Sequence, residues 1–181
     1  MRMLEIPPVA IELGVGDIAR QGDLDAIVNA ANAELRTGGG VAGAIHRAAG
    51  PGLEEECRPL APIRPGEAVI TSAHRLPNKF VIHCLGPVYG QDHPEAELLA
   101  SCYREALRLA DTHDVGGIAF PAISTGAFGY PMDGAAEVAL RTVVREAPKL
   151  KQVRRVRFVL HDARALGAHE AALDRWGPRA T

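Results

Sequence analysis

The chain has no excess of basic charge. Its 181 residues carry 20 Lys and Arg against 22 Asp and Glu, a formal net charge of −2. Duplex-binding proteins use an excess of Lys and Arg to displace counterions, so this composition disfavours nucleic acid as a general partner. One short basic run, Arg154-Arg155-Val156-Arg157, has a strand-like pattern and predicts a solvated strand edge rather than a binding patch.

Cysteines and long hydrophobic runs are also scarce. The three cysteines, Cys57, Cys84 and Cys102, follow no disulfide or zinc-binding spacing. We therefore expect no metal site and a reducing, cytoplasmic compartment. No stretch approaches the roughly 18 apolar residues of a membrane span, so no membrane partner is expected. Glu5 and two prolines interrupt the N-terminal apolar residues, which argues against a signal peptide.

Strand and helix patterns alternate along the whole chain. This alternation predicts one α/β domain over residues 1–181, a three-layer α/β/α sandwich around a mixed, mostly parallel sheet. The expected strands are residues 9–13, 26–29, 67–72, 80–85, 118–120 and 153–160. The expected helices are residues 41–49, 95–110, 132–145 and 165–176, and Gly50-Pro51 ends the first of them.

Three consecutive glycines, Gly38, Gly39 and Gly40, stand between an apolar strand pattern and a helix whose first turn has no charged side chain. Glycine strips a loop of side chains and allows positive φ. The first N–H groups of a helix have no intrahelical partner, and the helix dipole favours an anion there. The segment therefore predicts a phosphate-binding loop.

A second glycine-bearing loop, residues 121–131, lies between another strand pattern and another helix. Ligands of open α/β sheets collect outside the carboxyl ends of the strands, so both loops can face one crevice. We expect their N–H groups and helix termini to hold two adjacent phosphates. Ser124 and Thr125 add hydroxyl donors, and Phe128 adds a flat apolar face. A pair of ordinary strand-to-helix turns is the alternative.

A dinucleotide-binding fold at the N-terminus is a competing interpretation. Gly14, Gly16 and Ala19 satisfy G-x-G-x-x-G/A after a strand, and the acidic Glu34 follows further on. A parallel crossover needs a dozen or more residues. The next strand already begins at Ala26 and Gly22 interrupts the interval, so the crossover helix does not fit.

Together, these motifs resemble those of the macrodomains, specifically the MacroD-like branch. The matching pieces are Gly16-Asp17-Ile18, NAAN at 29–32, GGGVAGAIHRAAG from Gly38, VIHCLGPVY from Val81 and AFPAISTGAFGYP from Ala119. They lie in family order over nearly the whole chain. The resemblance implies ADP-ribose as ligand and mono-ADP-ribosylated proteins as partners. Many members cleave ADP-ribose from acidic side chains or from O-acetyl-ADP-ribose, and this hydrolysis needs no cofactor.

Carried over residue by residue, the resemblance implies a complete ligand site. Asp17 would accept a hydrogen bond from the adenine amine, beside the Ile18 backbone. Asn32 would contact the distal ribose and is the expected catalytic residue. The first phosphate loop would comprise Gly39, Gly40, Val41 and Ala42. The second would comprise Ser124, Thr125, Gly126, Ala127 and Phe128. His161 would be a contact on the adenine side.

Several of these side chains also have a structural interpretation. Asp17 can cap the turn after its strand, and Asn32 can hold its loop through side-chain-to-backbone hydrogen bonds. We expect Asn29 to be architectural, His46 to pack or bond locally, and His83 to be a satisfied interior histidine.

The chain departs from the family pattern at two positions. The best-known MacroD-type hydrolases carry an aspartate, assigned to water activation, where this chain has Ala42. Viral members often carry a histidine where it has Thr37. Since alanine cannot act as a general base, we expect slow, substrate-assisted hydrolysis in which a diphosphate oxygen of the ligand activates water. A non-catalytic ADP-ribose reader is the alternative.

Overall fold

The computed structural model describes residues 1–179, which contain seven strands and five α-helices. Residues 180 and 181, the end of the expected domain, lie outside the described residues. The strands are β1 (Arg2–Ile6), β2 (Val9–Val15), β3 (Ala26–Ala30), β4 (Ala68–Ser72), β5 (Phe80–Cys84), β6 (Gly117–Phe120) and β7 (Arg155–Leu160). The helices are α1 (Gly40–Ala49), α2 (Gly52–Cys57), α3 (Glu95–Thr112), α4 (Met132–Glu146) and α5 (Ala163–Trp176).

All seven strands join one sheet in the order β1-β2-β7-β6-β3-β5-β4. The five inner strands run parallel, whereas β1 and β4 pair antiparallel at the two edges. The predicted mixed, mostly parallel sheet is therefore confirmed. Two elements are absent from the predicted set, β1 and α2. The sequence of β1 does alternate as a strand requires, because Leu4 and Ile6 turn toward the core while Met3 and Glu5 stay exposed.

The sheet separates two apolar cores. Helices α3, α4 and α5 cover one face, and α1 and α2 cover part of the other. Alternation along β3 shows how one strand serves both cores, since Ala26 and Val28 enter the first and Ile27 enters the second. This arrangement confirms the three-layer sandwich. None of the helices within residues 1–179 is both long and apolar enough to cross a bilayer.

The prediction of a solvated strand edge at residues 154–157 is wrong. Residues 155–157 belong to β7, which lies between β2 and β6, and Arg157 is buried. Its guanidinium donates to Glu12 on β2 (Nε to Oε2, 2.7 Å) and to Asp23 (Nη2 to Oδ2, 2.7 Å). The hydrogen bond from Arg157 holds the pKa of Asp23 well below its usual range. The irregular segment 16–25 shields this face of the sheet, so the charge is compensated by neighbouring carboxylates rather than by water.

Candidate functional site

A cleft of 850 Å³ opens at the carboxyl ends of the five inner strands, which end at Val15, Ala30, Cys84, Phe120 and Leu160. Cavities of about 300–1,000 Å³ are typical of small-molecule sites. The connections that follow these five strands all contribute to its walls. Every one of the residues predicted to bind ligand lines this cleft: Asp17, Ile18, Asn32, Gly39, Gly40, Val41, Ala42, Ser124, Thr125, Gly126, Ala127, Phe128 and His161.

The first loop presents the free N-terminus of α1 to the cleft. The helix begins at Gly40, with Gly39 at the N-cap, and its first turn contains no acidic residue. Gly40 has a φ of +54°, which a glycine adopts at little cost. Within residues 1–179 the N–H groups of Gly40, Val41 and Ala42 donate to no acceptor. Unpaired amides and the helix dipole together favour an anion at this position.

The second loop folds back on itself and also leaves amides unpaired. Ser124 has a φ of +68°, and its carbonyl accepts from Tyr130 N at 2.9 Å, while Gly129 N donates to Gly126 O at 3.0 Å. In the described part of the chain, the N–H groups of Gly126, Ala127 and Phe128 have no acceptor. A run of free amides in such a concave loop is an anion-binding arrangement.

Only one of the two expected helix termini serves the cleft. Helix α4 starts at Met132 after an N-cap proline, carries Asp133 in its first turn, and does not line the cavity. A carboxylate at that position already complements the positive end of the dipole. The expectation that both helix termini face the ligand is therefore wrong for α4, and the second loop offers amide groups alone.

Asp17 both caps its turn and faces the cleft. Its Oδ1 accepts from Ala19 N at 2.9 Å, and Oδ2 lies 3.7 Å from Arg20 Nε. The side chain is 54% exposed, so lone pairs remain for a ligand. His161 is at the rim, with its Nε2 3.1 Å from Asp162 Oδ2 and most of its ring in solvent.

Asn32 is held by the loop that it supports. Its Nδ2 donates to Arg36 O at 2.8 Å, and its Oδ1 accepts from Arg36 N at 3.0 Å. The structural interpretation of Asn32 therefore applies, yet the side chain also lines the cleft. An amide carries two N–H donors and two acceptor lone pairs. One donor and one lone pair stay available for a ligand hydroxyl.

No carboxylate accompanies Asn32 at the first loop. Ala42 lines the cleft at 5% exposure, and among its lining residues within 1–179 Asp17 is the one carboxylate. Thr37 is exposed and donates its N–H to Glu54 Oε1 at 3.1 Å. The cleft can therefore fix an anion and orient a sugar, but it lacks a general base beside the amide loops.

A buried polar network lies on the α1 side of the sheet. His83 Nδ1 accepts from Asn29 Nδ2 at 3.1 Å, and its Nε2 lies 3.0 Å from Thr71 Oγ1. Burial lowers the pKa of His83 to about 3, so the ring is neutral. His46 is also buried, and burial lowers its pKa, but within residues 1–179 neither ring nitrogen has a partner. The expected interior roles of Asn29, His46 and His83 agree with this geometry.

Two glycines that the sequence analysis does not single out hold the loops in place. A Cβ at Gly86 would lie 2.1 Å from Ser124 Oγ, so the second loop can approach only a glycine. A Cβ at Gly43 would lie 2.3 Å from Gly38 O, so α1 packs equally closely on the first loop. Gly86 lies two residues after the end of β5, and no local pattern at that position reveals this contact.

The dinucleotide-fold interpretation is excluded by the backbone. Segment 16–25 contains no helix between β2 and β3. Glu34, the acidic residue of that hypothesis, lines a separate cavity with Arg36, Glu54 and Arg58 rather than the main cleft.

The fold and the cleft together define an α/β domain in which two amide loops face one ligand site. A family model described as Macro domain matches residues 28–139, and the chain belongs to the macro domain family. A macro domain-containing protein of Chlorobaculum tepidum is 53% identical over 151 residues, covering 83% of this chain and 88% of the relative. One from Streptomyces griseus is 48% identical over 174 residues, covering 93% and 96%.

Solved structures agree. The Oceanobacillus iheyensis macrodomain with ADP matches with a TM-score of 0.91 and 39% identity, over 96% of this chain and 95% of that one. The Trypanosoma brucei macrodomain in complex with ADP-ribose matches with a TM-score of 0.84 and 35% identity, over 90% and 68%. The predicted resemblance to macrodomains is confirmed.

The contact between Gly86 and the second loop can be tested by Gly86→Ala. We expect this change to lower the free energy of unfolding by about 1–3 kcal/mol, as overpacking does, and to speed amide exchange in residues 121–131. Gly126→Ala is the matched control, because a Cβ there meets no described atom within 4 Å. Urea unfolding that gives Gly86→Ala the stability of the wild type would refute the contact.

Buried neutral His83 predicts acid sensitivity. Its folded pKa, about 3, lies below the ordinary value of 6.5, so the unfolded chain binds the proton first. The stability contribution is therefore complete above pH 6.5 and is lost as the pH falls toward 3. As the pH falls, we expect the free energy of unfolding to decrease more steeply in the wild type than in His83→Gln. The difference in slope should reach up to about 1.4 kcal/mol per pH unit. Urea titrations from pH 7 to 4 measure this, with exposed His161→Gln as control; equal slopes for wild type and His83→Gln would contradict it.

Proposed function

We propose that this chain, as one cytoplasmic macrodomain, binds ADP-ribose and slowly hydrolyses mono-ADP-ribosyl esters on acidic protein side chains or in O-acetyl-ADP-ribose. One observation carries the proposal: unpaired amides on two separate loops, Gly40 to Ala42 and Gly126 to Phe128, line the same cleft within residues 1–179. Adjacent phosphates need two such sets of donors. The macrodomain structures with ADP and with ADP-ribose support the same ligand class.

The remaining cleft residues suit the two ends of this ligand. Adenine would lie against Ile18, and its amine would donate to a free lone pair of Asp17. His161 would lie beside the base at the rim of the cleft. The distal ribose would lie against Phe128, with its hydroxyls on the free donor and acceptor of Asn32. The diphosphate between them would accept hydrogen bonds from the amides of both loops. The expected hydroxyl donors are engaged elsewhere, because Thr125 Oγ1 donates to Ala122 O at 2.7 Å and Ser124 Oγ is buried against Gly86.

Hydrolysis would then depend on positioning. For the ester on an acidic protein side chain, a water held near the anomeric carbon attacks it, the bond from that carbon to the ester oxygen breaks, and the side chain leaves as a carboxylate. A diphosphate oxygen takes the proton of the water. Correct positioning contributes several kcal/mol, whereas the absent general base costs about 10²–10⁴-fold in rate. Turnover is accordingly slow.

A non-catalytic reader of ADP-ribose is the second candidate. The observation that favours it is the absence of a carboxylate at Ala42 and of an imidazole at Thr37. Tight binding of ADP-ribose without release of ADP-ribose from modified protein would select it.

Asp17→Ala tests recognition of the base. We expect the affinity for ADP-ribose, measured by calorimetry, to fall by about 1–3 kcal/mol, because the adenine amine loses its charged acceptor in the cleft. Glu5→Ala removes an exposed carboxylate from edge strand β1 and should leave the affinity unchanged. An unaltered dissociation constant for Asp17→Ala would leave Asp17 with its turn-capping role alone.

Release of ADP-ribose from a protein modified on glutamate or aspartate tests the enzyme. We expect the wild type to release it measurably faster than Asn32→Ala. Because Asn32 also holds Arg36, binding of free ADP-ribose is measured on the same variant to separate lost affinity from lost turnover. No release above that of Asn32→Ala would remove the hydrolase proposal and leave the reader.

Ala42→Asp tests whether the absent base limits the rate. We expect release to accelerate by about tenfold or more, since a carboxylate would stand beside the amide loop and Asn32. Ala42→Asn, similar in size but unable to take a proton, should remain at the wild-type rate. A slower Ala42→Asp enzyme would mean that this loop uses a different mechanism.

A further inference from the structure

The segment that carries Asp17 and Ile18 has no regular structure to hold it. Residues 16–25 form neither helix nor strand. Two turn bonds fall within it, from Arg20 N to Asp17 O at 3.0 Å and from Leu24 N to Gln21 O at 3.1 Å. Main-chain bonds join its two ends to the sheet, from Gly16 N to Leu160 O at 2.9 Å and from Asp25 N to Gly117 O at 3.0 Å. Between these ends, the position of the Asp17 carboxylate depends on side chains that tie the segment to the sheet.

Arg157 supplies that tie. From the centre of the sheet its Nε donates to Glu12 Oε2 at 2.7 Å. Its two terminal nitrogens donate to the Asp23 carboxylate in a bidentate pair, at 2.9 Å and 2.7 Å. Nη1 also donates to Gln21 Oε1 at 2.8 Å. Three of these four hydrogen bonds go to the 16–25 segment, and the planar guanidinium fork suits such a set where an ammonium group does not.

Gln21 passes this tie on to Asp17. While its Oε1 accepts from Arg157, its Nε2 donates to Asp17 O at 2.8 Å. The main chain of Gln21 is anchored as well, because Asn78 Nδ2 donates to its carbonyl at 2.8 Å. The amide group of Gln21 also lies 3.6 Å from the Cβ position of Gly16, the residue before Asp17. A continuous chain of hydrogen bonds thus joins the buried Arg157 guanidinium to the backbone of Asp17.

The charges of this network are balanced without the Asp17 carboxylate. Arg155 donates to Glu12 at 3.2 Å and to Asp23 at 3.0 Å, so two arginines are matched by two other carboxylates. Arg157 therefore has its anionic partners in Glu12 and Asp23. The Asp17 carboxylate makes none of these bonds and remains partly exposed at the cleft.

We propose that Arg157 and Gln21 are positioning residues that set base specificity: they hold Asp17 where it accepts from a purine with an exocyclic amine. This inference rests on the proposed binding of ADP-ribose and extends it to residues outside the cleft. Neither residue lines the cavity, so both act through Asp17 rather than by touching the base.

The test compares two ligands on one set of variants. Calorimetry gives the dissociation constants for ADP-ribose and for its hypoxanthine counterpart, in which a carbonyl replaces the amine. We expect the wild type to prefer ADP-ribose by about tenfold or more, as a hydrogen bond to a charged group predicts. Gln21→Met keeps the side-chain length but loses both bonds. It should reduce the preference to about threefold or less, with the hypoxanthine ligand bound within about twofold of wild type.

Arg157→Lys and the double variant complete the set. Arg157→Lys keeps the charge but loses the fork, so it should reduce the preference as Gln21→Met does, and the double variant should lose no more. Gln152→Met, at an exposed position before β7, should keep the full preference. Thermal unfolding confirms that each variant is folded.

Three outcomes would overturn this inference and leave the proposed function intact. They are an equal loss of affinity for both ligands in Gln21→Met, an undiminished preference in that variant, and additive losses in the double variant. A wild type that binds both ligands equally would overturn the role of Asp17 as base reader and this inference with it. A wild type that binds neither ligand would overturn the proposed function itself.

Discussion

Unpaired main-chain amides are the feature on which the whole site depends. Gly40, Gly126 and Ala127 are exposed at the cleft, so solvent reaches their N–H groups, and within residues 1–179 packing enforces the loop shapes that keep these groups without a protein acceptor. Here the enforcement is steric. Ser124 is pressed against Gly86 and the carbonyl of Gly38 against Gly43, at distances that a single added Cβ would violate.

The order of the strands explains why two distant loops meet. Strand β6 pairs with both β3 and β7, so the connection after β6 emerges beside the connection after β3. All three strands are parallel, which places their carboxyl ends at one edge of the sheet. The same order places β2 next to β7, and segment 16–25 therefore reaches the cleft as well. A binding site assembled in this way needs no contact between residues that are close in sequence.

The parts of this site that were predictable are those with local signals. Gly38 to Gly40 before an uncharged helical turn, and the 121–131 loop after an apolar strand, carry their meaning in a few residues, and both line the cleft. Gly86 and the burial of Arg157 carry no such signal. Strand periodicity shows that 155 and 157 share a face, but it does not show that β7 is central or what covers that face. Those facts come from strand order, which is non-local.

Asp17 and Asn32 show why local and functional interpretations need not compete. Each side chain spends part of its hydrogen-bonding capacity on its own loop, through Ala19 and Arg36, and keeps the rest free toward the cleft. The bond that satisfies the loop also limits the rotamers of the side chain. A ligand that binds to the free lone pair or donor therefore meets a group whose ordering entropy is already lost, which is the physical meaning of preorganisation.

In the proposed function, binding and cleavage make opposite demands on the side chain at position 42. A carboxylate there would activate water, but it would also stand beside a diphosphate, and two like charges about 4 Å apart repel by about 4 kcal/mol at the effective dielectric constant of a protein surface. Alanine removes the repulsion and the base together. Because the amides of α1 are neutral donors, their attraction for the anion is then opposed by no nearby negative side chain on that loop. A site of this composition gains more in holding the nucleotide than in the chemical step.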